Sequence, residues 1–368
     1  MNPELHARLL DPPLQTADLP GIGGRIRMRP EDFSVHELPA YSPDGRMGAH
    51  LLLTLCKRGI GTEDALIELS RQTGIPRPEI GLAGLKDKDA VTEQWITVPF
   101  AAGPRLTQFS HPAITLGPPA PHGNKLRRGH LHGNRFTLVV RDLAVSGNEA
   151  HDRVAAKIAR LAALGGLDNI YGSQRLGNDG GNLRRGLELL ATGARRGKAD
   201  FLLSAGQSAL FNLYLLERRA RGLTRRVLLG DILKKTATGG LFESQDPEID
   251  QPRLDAGELG ITGPMFGSKM RGPSPGTASG TLEQEILELA GISPEALKAL
   301  GSKVEGTRRP LQLPALDLQA ELADADGPLP SGLRLHFILP AGSYATVLLQ
   351  ELQSPVPESV KTSAPAPQ

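Results

Sequence analysis

Residues 84–95 read Gly84-Leu85-Lys86-Asp87-Lys88-Asp89-Ala90-Val91-Thr92-Glu93-Gln94-Trp95. One carboxylate, Asp87, stands between two lysines, and the segment ends on the only tryptophan of the chain. Cationic neighbours favour the ionised form of a carboxylate, and an ionised carboxylate on a constrained turn can act as a nucleophile or a general base. The alternative is a solvated charged turn before a strand from Gln94 to Val98, because charge runs usually mark solvated faces.

The composition is that of a globular protein with two domains. The chain has 368 residues, of which 39% are hydrophobic and 22% are charged, so each domain can form its own core. A single cysteine, Cys56, excludes an intramolecular disulfide and a multi-cysteine zinc site, and it fits a reducing compartment. We find no signal peptide and no apolar run of membrane-spanning length, and we therefore expect a cytoplasmic protein that does not enter a membrane.

The net charge of +2 hides an uneven distribution. Residues 105–141 contain six arginines and lysines and no acid, and residues 175–226 contain eleven against four acids. Residues 243–258 contain six acids and one arginine. Basic stretches interleaved with Gly, Asn and His suit phosphate contacts. Nucleic acid and solvated helix faces are both compatible with this pattern.

Periodicity and turn signals predict strands near both ends of the chain and helices between them. The predicted strands are Ile26–Val35, His50–Leu55, Gln94–Val98, Phe136–Val140 and Arg334–Leu339, with turns at 41–45 and at Gly133-Asn134. The predicted helices are Thr62–Thr73, 148–165, Asn182–Ala191, Ser208–Arg221, Leu282–Leu289 and Pro294–Leu300. We expect a loop over 101–123, short strands and loops over 236–282, and a strand or amphipathic segment over Tyr344–Gln350.

Several kinds of site are excluded or disfavoured by the sequence. The sequence contains neither Gly-x-x-x-x-Gly-Lys-Ser/Thr nor Gly-x-Gly-x-x-Gly, the two glycine motifs that bind nucleotide phosphates. This absence disfavours a nucleotide cofactor. His122, His130 and His132 have basic surroundings and no carboxylate before Asp142, so RNA-facing or solvated histidines are favoured over a metal site. The Gly-x-Ser-x-Gly string at 272–276 lacks the strand and helix that a nucleophile elbow needs. Carboxylate chemistry on a nucleic acid is the enzymatic class that survives.

Five further blocks of sequence accompany Gly84 to Trp95. They are Pro30-Glu31-Asp32-Phe33-Ser34-Val35-His36-Glu37 with Gly45-Arg46-Met47-Gly48-Ala49-His50, Lys125-Leu126-Arg127-Arg128-Gly129-His130-Leu131-His132-Gly133-Asn134-Arg135-Phe136, Asn169-Ile170-Tyr171-Gly172-Ser173-Gln174-Arg175-Leu176-Gly177, Ser204-Ala205 with Ser208-Ala209-Leu210-Phe211-Asn212, and Leu339-Pro340-Ala341-Gly342-Ser343-Tyr344-Ala345-Thr346. In this order, the six blocks resemble the TruD family of tRNA pseudouridine synthases. Gly84 to Trp95 resembles the catalytic motif of that family.

The resemblance implies an activity, a partner and a fold. The activity is isomerisation of uridine 13, in the D-arm region of tRNA, to pseudouridine without a cofactor or a metal. The partner is tRNA; we expect no protein partner and a monomer. The fold is α+β: a pseudouridine-synthase catalytic domain with a mixed, mainly antiparallel sheet and flanking helices, interrupted by a TruD-specific α/β insertion. We place the catalytic domain at 1–154 and 308–353, the insertion at 155–307 and a disordered tail at 354–368.

The resemblance also implies roles for individual residues. Asp87 is the expected nucleophile or base, and attack on C1′ and a glycal route both remain open. Phe136 is the expected stacking platform for the flipped base, the alternative being a core phenylalanine. Arg27 stands where the family usually has a lysine that pairs with the aspartate. Asn134 either supports the active-site loop or touches the base, the alternative being a turn residue.

Other residues are weaker candidates. The candidates for RNA contact are His50, Lys57, Lys86, Lys88, Lys125, Arg127, Arg128, Gln174 and Arg175. Gln350 stands where many family members have an arginine, which removes one potential phosphate contact. Glu31 and Asp32 are interpreted as structural or capping groups rather than a catalytic pair.

Two other functions compete with the synthase. One is a tRNA-binding or RNA-folding protein that kept the fold and lost catalysis; the differences at Arg27 and Gln350 leave it open. The other is an N-glycosidic hydrolase that uses a similar carboxylate and lets water capture C1′.

Overall fold

The structure is a computed structural model, and it describes residues 3–43, 45, 48–177, 179–193, 200–313 and 317–355. The tail predicted to be disordered, 354–368, lies outside the described residues from 356 onward. Within the described residues the strands are β1 (Gly23–Arg25), β2 (Phe33–Pro39), β3 (His50–Arg58), β4 (Gly81–Leu82), β5 (Val91–Pro99), β6 (Ile114–Leu116), β7 (Ala120–His122), β8 (Leu131–Leu143), β9 (Leu167–Asp168), β10 (Ile232–Lys235), β11 (Leu241–Glu243), β12 (Leu259–Met265), β13 (Thr307–Pro310), β14 (Gln312–Leu313), β15 (Gln319–Ala323) and β16 (Gly332–Pro340). The helices are α1 (Pro3–Leu10), α2 (Thr62–Thr73), α3 (Gly103–Leu106), α4 (Gly147–Ala163), α5 (Ser173–Leu176), α6 (Gly181–Thr192), α7 (Asp200–Ala220), α8 (Pro247–Asp255), α9 (Ala278–Ala290), α10 (Pro294–Leu300) and α11 (Ala345–Gln353).

The described residues divide into two compact units, each made of separate stretches of chain. The described residues of the sheet unit fall within Asp18–Ile158, Leu316–Ala345 and Leu352–Gln368. Those of the helical unit fall within Met1–Ala17, Ala159–Ala315 and Thr346–Glu351.

The sheet unit is built on a ten-stranded sheet. Seven strands follow the order β15-β16-β8-β2-β5-β3-β6, while β1 pairs with β8, β4 with β5 and β7 with β3. Among the described strands of this sheet, only β2 and β5 run parallel, in the register Ser34↔Val91. The predicted mixed, mainly antiparallel sheet with flanking helices is therefore confirmed.

Helix α2 covers part of one face of this sheet. It begins at Thr62 and ends at Thr73, as the sequence predicts, and its buried positions recur at helical spacing. Leu66 and Leu69 of the helix share one apolar cluster with Leu53 and Leu55 of β3. Gly74 then ends the helix with a φ of 67°, a left-handed conformation that glycine adopts without strain.

Several local predictions were wrong. Gly133 and Asn134 form no turn, because both lie inside β8 and pair with Pro340 and Leu339 of β16. The strand expected over Ile26–Val35 begins only at Phe33, after a short 3-10 helix. Of the two alternatives for Tyr344–Gln350, the strand is wrong, because the segment forms helix α11 from Ala345 onward. The loop expected over 101–123 contains α3, β6 and β7, which are too short to leave a periodic signal.

The helical unit packs around α7, in which the majority of the side chains from Leu203 to Leu216 are buried. Its described strand pairs are all antiparallel, in the order β11-β10-β12-β13 with a separate pair of β14 and β9. The strands are therefore not arranged in the parallel βαβ units of an α/β domain in the strict sense. Arg218 at the end of α7 is fully buried and pairs with Asp231 at 2.6 Å.

Of the helices that the structure describes, none combines the length and the apolar character that a bilayer span needs.

Asp32 and Glu31 have different environments although they are adjacent. Asp32 is buried, and both of its carboxylate oxygens accept hydrogen bonds from the Arg141 guanidinium at 3.0–3.1 Å. Glu31 pairs with Arg58 at the surface, where the two side chains are 38% and 61% exposed. Asp32 is thus a structural group, in agreement with its interpretation from the sequence.

We expect Asp32→Ala to destabilise the sheet unit by about 3–5 kcal/mol, because Arg141 would remain buried without its carboxylate. The matched control, Glu31→Ala, should cost no more than about 1 kcal/mol because its ion pair is exposed. Trp95 lies in β5 and is the only tryptophan, so its fluorescence during urea unfolding reports on this unit. Equal losses in the two variants would contradict the structural role of Asp32.

Candidate active site

Asp87 lies on the connection between β4 and β5, which we call the catalytic turn (Gly84–Ala90). Its side chain is 54% exposed, and its Oδ2 accepts a hydrogen bond from Nη2 of Arg27 at 2.6 Å. The two residues are 60 positions apart in the chain. The sequence-based expectation that Arg27 faces Asp87 is confirmed.

Arg27 is held in an unusual conformation. Its φ is 59°, in the left-handed region that non-glycine residues seldom occupy. Its guanidinium carbon lies 4.0 Å from the centre of the Phe33 ring, a cation–π contact. This backbone strain persists only where surrounding contacts fix it, and such sites are frequently functional.

Lys86 points in the opposite direction from Asp87. Its Nζ lies 2.6 Å from Oε2 of Glu37, and the two side chains are 6% and 0% exposed. Because Lys86 is drawn inward, its two neighbours face solvent: Leu85 is 53% exposed and the Asp87 side chain 54%. The buried ion pair therefore determines which side chains the turn displays.

Thr62 and Gln94 fix the backbone of the turn. The Thr62 hydroxyl accepts a hydrogen bond from the Lys86 amide at 2.9 Å and donates one to Oε1 of Gln94 at 2.8 Å. The amide group of Gln94 in turn donates to the carbonyl of Gly84 at 3.2 Å. Both side chains are buried, so these hydrogen bonds do not compete with water.

Lys57 supports the turn from the interior of the protein. It is 2% exposed, and its Nζ donates to the backbone carbonyl of Asp87 at 2.5 Å. Burial lowers the pKa of Lys57 to about 8, the Asp87 charge opposing this shift and the Lys86 charge adding to it. Lys57 and Lys86 were candidates for RNA contact, but neither has the exposure that a phosphate contact requires.

Phe136 and Asn134 lie on β8, on the face of the sheet that carries Glu37. The Phe136 ring is 7% exposed and stacks on Phe337 at 5.1 Å with an interplanar angle of 19°. The centres of the Phe33 and Phe136 rings are 6.3 Å apart in a T-shaped arrangement. Phe136 is therefore in contact with the ring on which the Arg27 guanidinium packs. Oδ1 of Asn134 is buried and makes no hydrogen bond to the described residues.

The other candidates for RNA contact are divided between the two units, with five in the sheet unit and two in the helical unit. Lys88, Arg127 and Arg128 are exposed, whereas His50 and Lys125 are partly buried and Lys125 donates to the Pro78 carbonyl. Gln174 and Arg175 belong to the helical unit. There Arg175 donates to the Ser204 hydroxyl.

The described part of the chain contains no group of three or more His, Cys, Asp and Glu side chains that could hold a metal ion. Cys56, the one thiol, donates to Glu93 at 3.4 Å, and burial raises its pKa to about 11, which leaves it protonated and unreactive at neutral pH.

Comparison with known proteins assigns the chain to a family. The family model described as tRNA pseudouridine synthase D (TruD) matches residues 11–193 and 196–352. The chain belongs to the TruD family. These proteins are isomerases that act in tRNA modification.

Individual TruD relatives match over nearly their whole length. A protein named tRNA pseudouridine synthase D from Anaeromyxobacter dehalogenans strain 2CP-C is 45% identical over 94% of this chain and 97% of its own. A namesake from Thermus thermophilus is 41% identical over 97% of this chain and 96% of its own. The crystal structure of a TruD protein from Methanosarcina mazei shares the fold, with a TM-score of 0.73 at 23% identity over 95% of this chain and 98% of that one.

The sequence analysis did not identify the side chains that fix the catalytic turn. Glu37, Thr62 and Gln94 did not appear among the candidate residues, although each is buried and bonded to the turn or its neighbours. One signal was present: Glu37 follows Phe33 and Val35 at the alternating, inward-facing positions of β2. A carboxylate at an inward position of a strand requires a buried partner.

Lys57 predicts a specific dependence of stability on pH. Its pKa is lowered from about 10.5 to about 8 in the folded protein, so the unfolded chain binds more protons between these values. The free energy of unfolding should therefore rise with pH from about 8 to 10.5 relative to Lys57→Met, measured by urea unfolding at a series of pH values. The matched control Lys88→Met removes an exposed lysine of the same turn and should show no such trend. A constant difference between wild type and Lys57→Met would contradict the lowered pKa.

Proposed function

We propose that this protein isomerises uridine 13 of tRNA to pseudouridine, with Asp87 as the nucleophile or base. The observation that carries the proposal is the half-exposed Asp87 carboxylate, paired with Arg27 on a turn whose backbone is fixed from the interior. The Arg27 guanidinium at 2.6 Å orients the carboxylate group that nucleophilic or base catalysis uses.

The reaction makes limited demands on the site. The C1′–N1 bond breaks, the uracil rotates in place, a C1′–C5 bond forms, and the hydrogen on C5 is replaced by the sugar while N1 takes up a proton. The product is an isomer, so no electrons are gained or lost. The uridine must first leave its stack, at a cost of about a few kcal/mol. Attack of Asp87 on C1′ and a glycal route both satisfy this balance.

Arg27 can pair with the Asp87 carboxylate although it replaces the lysine that is usual in the family. Its planar guanidinium donates to the carboxylate while it rests on the Phe33 ring, a combination that an ammonium point charge makes less well. This geometry weakens the alternative of a fold that retained RNA binding and lost catalysis.

Two side chains of the sheet unit are proposed to handle the flipped base. Asn134 has a buried amide oxygen with no hydrogen bond to a described residue. Buried polar atoms are as a rule hydrogen-bonded, and we propose that the uracil supplies the missing donor. Phe136 is proposed to stack on the uracil. One of its faces is already taken by Phe337, so only the rest of the ring is available to a base.

The domain assignment follows from the same proposal. We propose that 1–154 and 308–353 form the pseudouridine-synthase catalytic domain and that 155–307 is the TruD-specific insertion. The compact units of the structure differ from these bounds, because residues 3–17, 308–313 and 346–351 group with the helical unit. The exposed Lys88, Arg127 and Arg128 are proposed to meet tRNA phosphates. A monomer acting in the cytoplasm remains our expectation.

Asp87→Asn should abolish tritium release from tRNA that carries 5-³H-uridine, while tRNA binding is retained. Only formation of the bond to C5 expels that label, so the assay separates the synthase from a hydrolase, which would release free uracil instead. The matched control is Asp89→Asn, which neutralises an exposed carboxylate two residues away and should retain activity. Full activity of Asp87→Asn would refute the mechanism.

Phe136→Leu tests stacking separately from packing. Leucine keeps an apolar side chain, so stability should change by less than about 2 kcal/mol. Loss of the aromatic face should lower turnover about 5- to 150-fold, the equivalent of the ~1–3 kcal/mol that base stacking contributes. Unchanged turnover with wild-type stability would show that Phe136 is a core residue and does not stack on the base.

A further inference from the structure

A cluster of three rings lies beyond the end of β2. The Tyr41 ring is 5.3 Å from the His130 ring at an interplanar angle of 81°, and 6.3 Å from the His122 ring at 43°. His122 is buried, whereas Tyr41 is 46% exposed. One side of Tyr41 is thus supported by imidazoles, and much of the remaining surface is open to solvent.

Backbone hydrogen bonds connect this cluster with Ala83, the residue that precedes the catalytic turn. The amide of Ala40, next to Tyr41, donates to the His130 carbonyl at 3.4 Å. The adjacent amide of Gly129 donates to the carbonyl of Ala83 at 2.9 Å. Ala83 precedes Asp87 by four residues, which span at most about 14 Å. Backbone hydrogen bonds therefore connect the loop of the exposed tyrosine with the segment that leads to Asp87.

The segment that carries His130 is basic. His130 belongs to the segment 125–135, which contains four arginines and lysines and no acid. Arg127 and Arg128 in this segment are exposed. The His130 Nδ1 accepts a hydrogen bond from the Arg127 amide at 3.3 Å, so the short loop holds the ring and the cations together.

We propose that Tyr41, supported by His130 on the loop that also carries Arg127 and Arg128, is a docking platform for an unpaired base of the tRNA substrate. This inference rests on the proposed function, because it takes the bound polymer to be the tRNA substrate. A stacking ring beside cations is the combination by which proteins hold single-stranded nucleotides without reading their sequence. The ring stacks on the base while the arginines neutralise the phosphates of the strand.

The test is the dissociation constant of the tRNA substrate, which does not depend on catalysis. Tyr41→Ala should weaken binding about 5- to 150-fold, as expected for one lost base stack. Tyr41→Leu should lose as much as Tyr41→Ala, because apolar volume without a ring does not stack, and Tyr41→Phe should recover most of the affinity. Ile67→Ala, which trims another exposed apolar residue of the same unit, should bind like wild type.

Salt dependence separates the ring from the cations. Tyr41→Ala should keep the wild-type slope of log affinity against log salt, whereas Arg127→Ala and Arg128→Ala should each reduce it by about 1. Trp95 fluorescence during urea unfolding checks that each variant is folded. Wild-type affinity in Tyr41→Ala, or equal losses in the alanine and phenylalanine variants, would overturn the platform. Wild-type protein that binds tRNA but releases no tritium would refute the proposed function and leave this test intact.

Discussion

The buried ion pair between Lys86 and Glu37 is the contact on which the candidate site depends. It links the catalytic turn to β2, and both side chains are almost completely removed from water. A buried charge without its partner is strongly unfavourable, so the turn can adopt few conformations that leave Lys86 elsewhere. With Lys86 fixed inward, the alternation of the backbone places Asp87 outward, within reach of Arg27.

The parallel pairing of β2 and β5 makes this arrangement possible. It places Glu37 beside the strand that follows the catalytic turn, and the amide of Trp95 donates to the second oxygen of Glu37 at 3.2 Å. Two partners thus share one carboxylate, one from the turn and one from the strand. Lys57 and Thr62 approach the same turn from β3 and α2. The carboxylate of Asp87 is exposed for chemistry, while the side chains that fix the backbone of its turn belong to the protein interior.

Some features could be predicted from the sequence, because they have a local periodicity or belong to one of the blocks that resemble the family. Helix α2 was predictable from its periodicity, and Arg27 could be paired with Asp87 because six blocks resemble one family. The roles of Lys57 and Lys86 were not predictable in the same way. A lysine in a charged run resembles a solvated residue, and the partner that buries Lys86 lies 49 positions earlier in the chain. Likewise, Gly133-Asn134 has the composition of a turn, and only its pairing with β16 shows that β8 continues through it.

The pairing of β8 with β16 has a consequence for biosynthesis. These strands share nine registered positions, from Gly332↔Arg141 to Pro340↔Gly133, but about 190 residues of chain separate them. At ribosomal rates of about 5–20 residues per second, one edge of β8 waits roughly 10–40 s for its partner strand. An unpaired strand edge is a site of aggregation, so the nascent chain passes through an interval in which chaperone protection matters most.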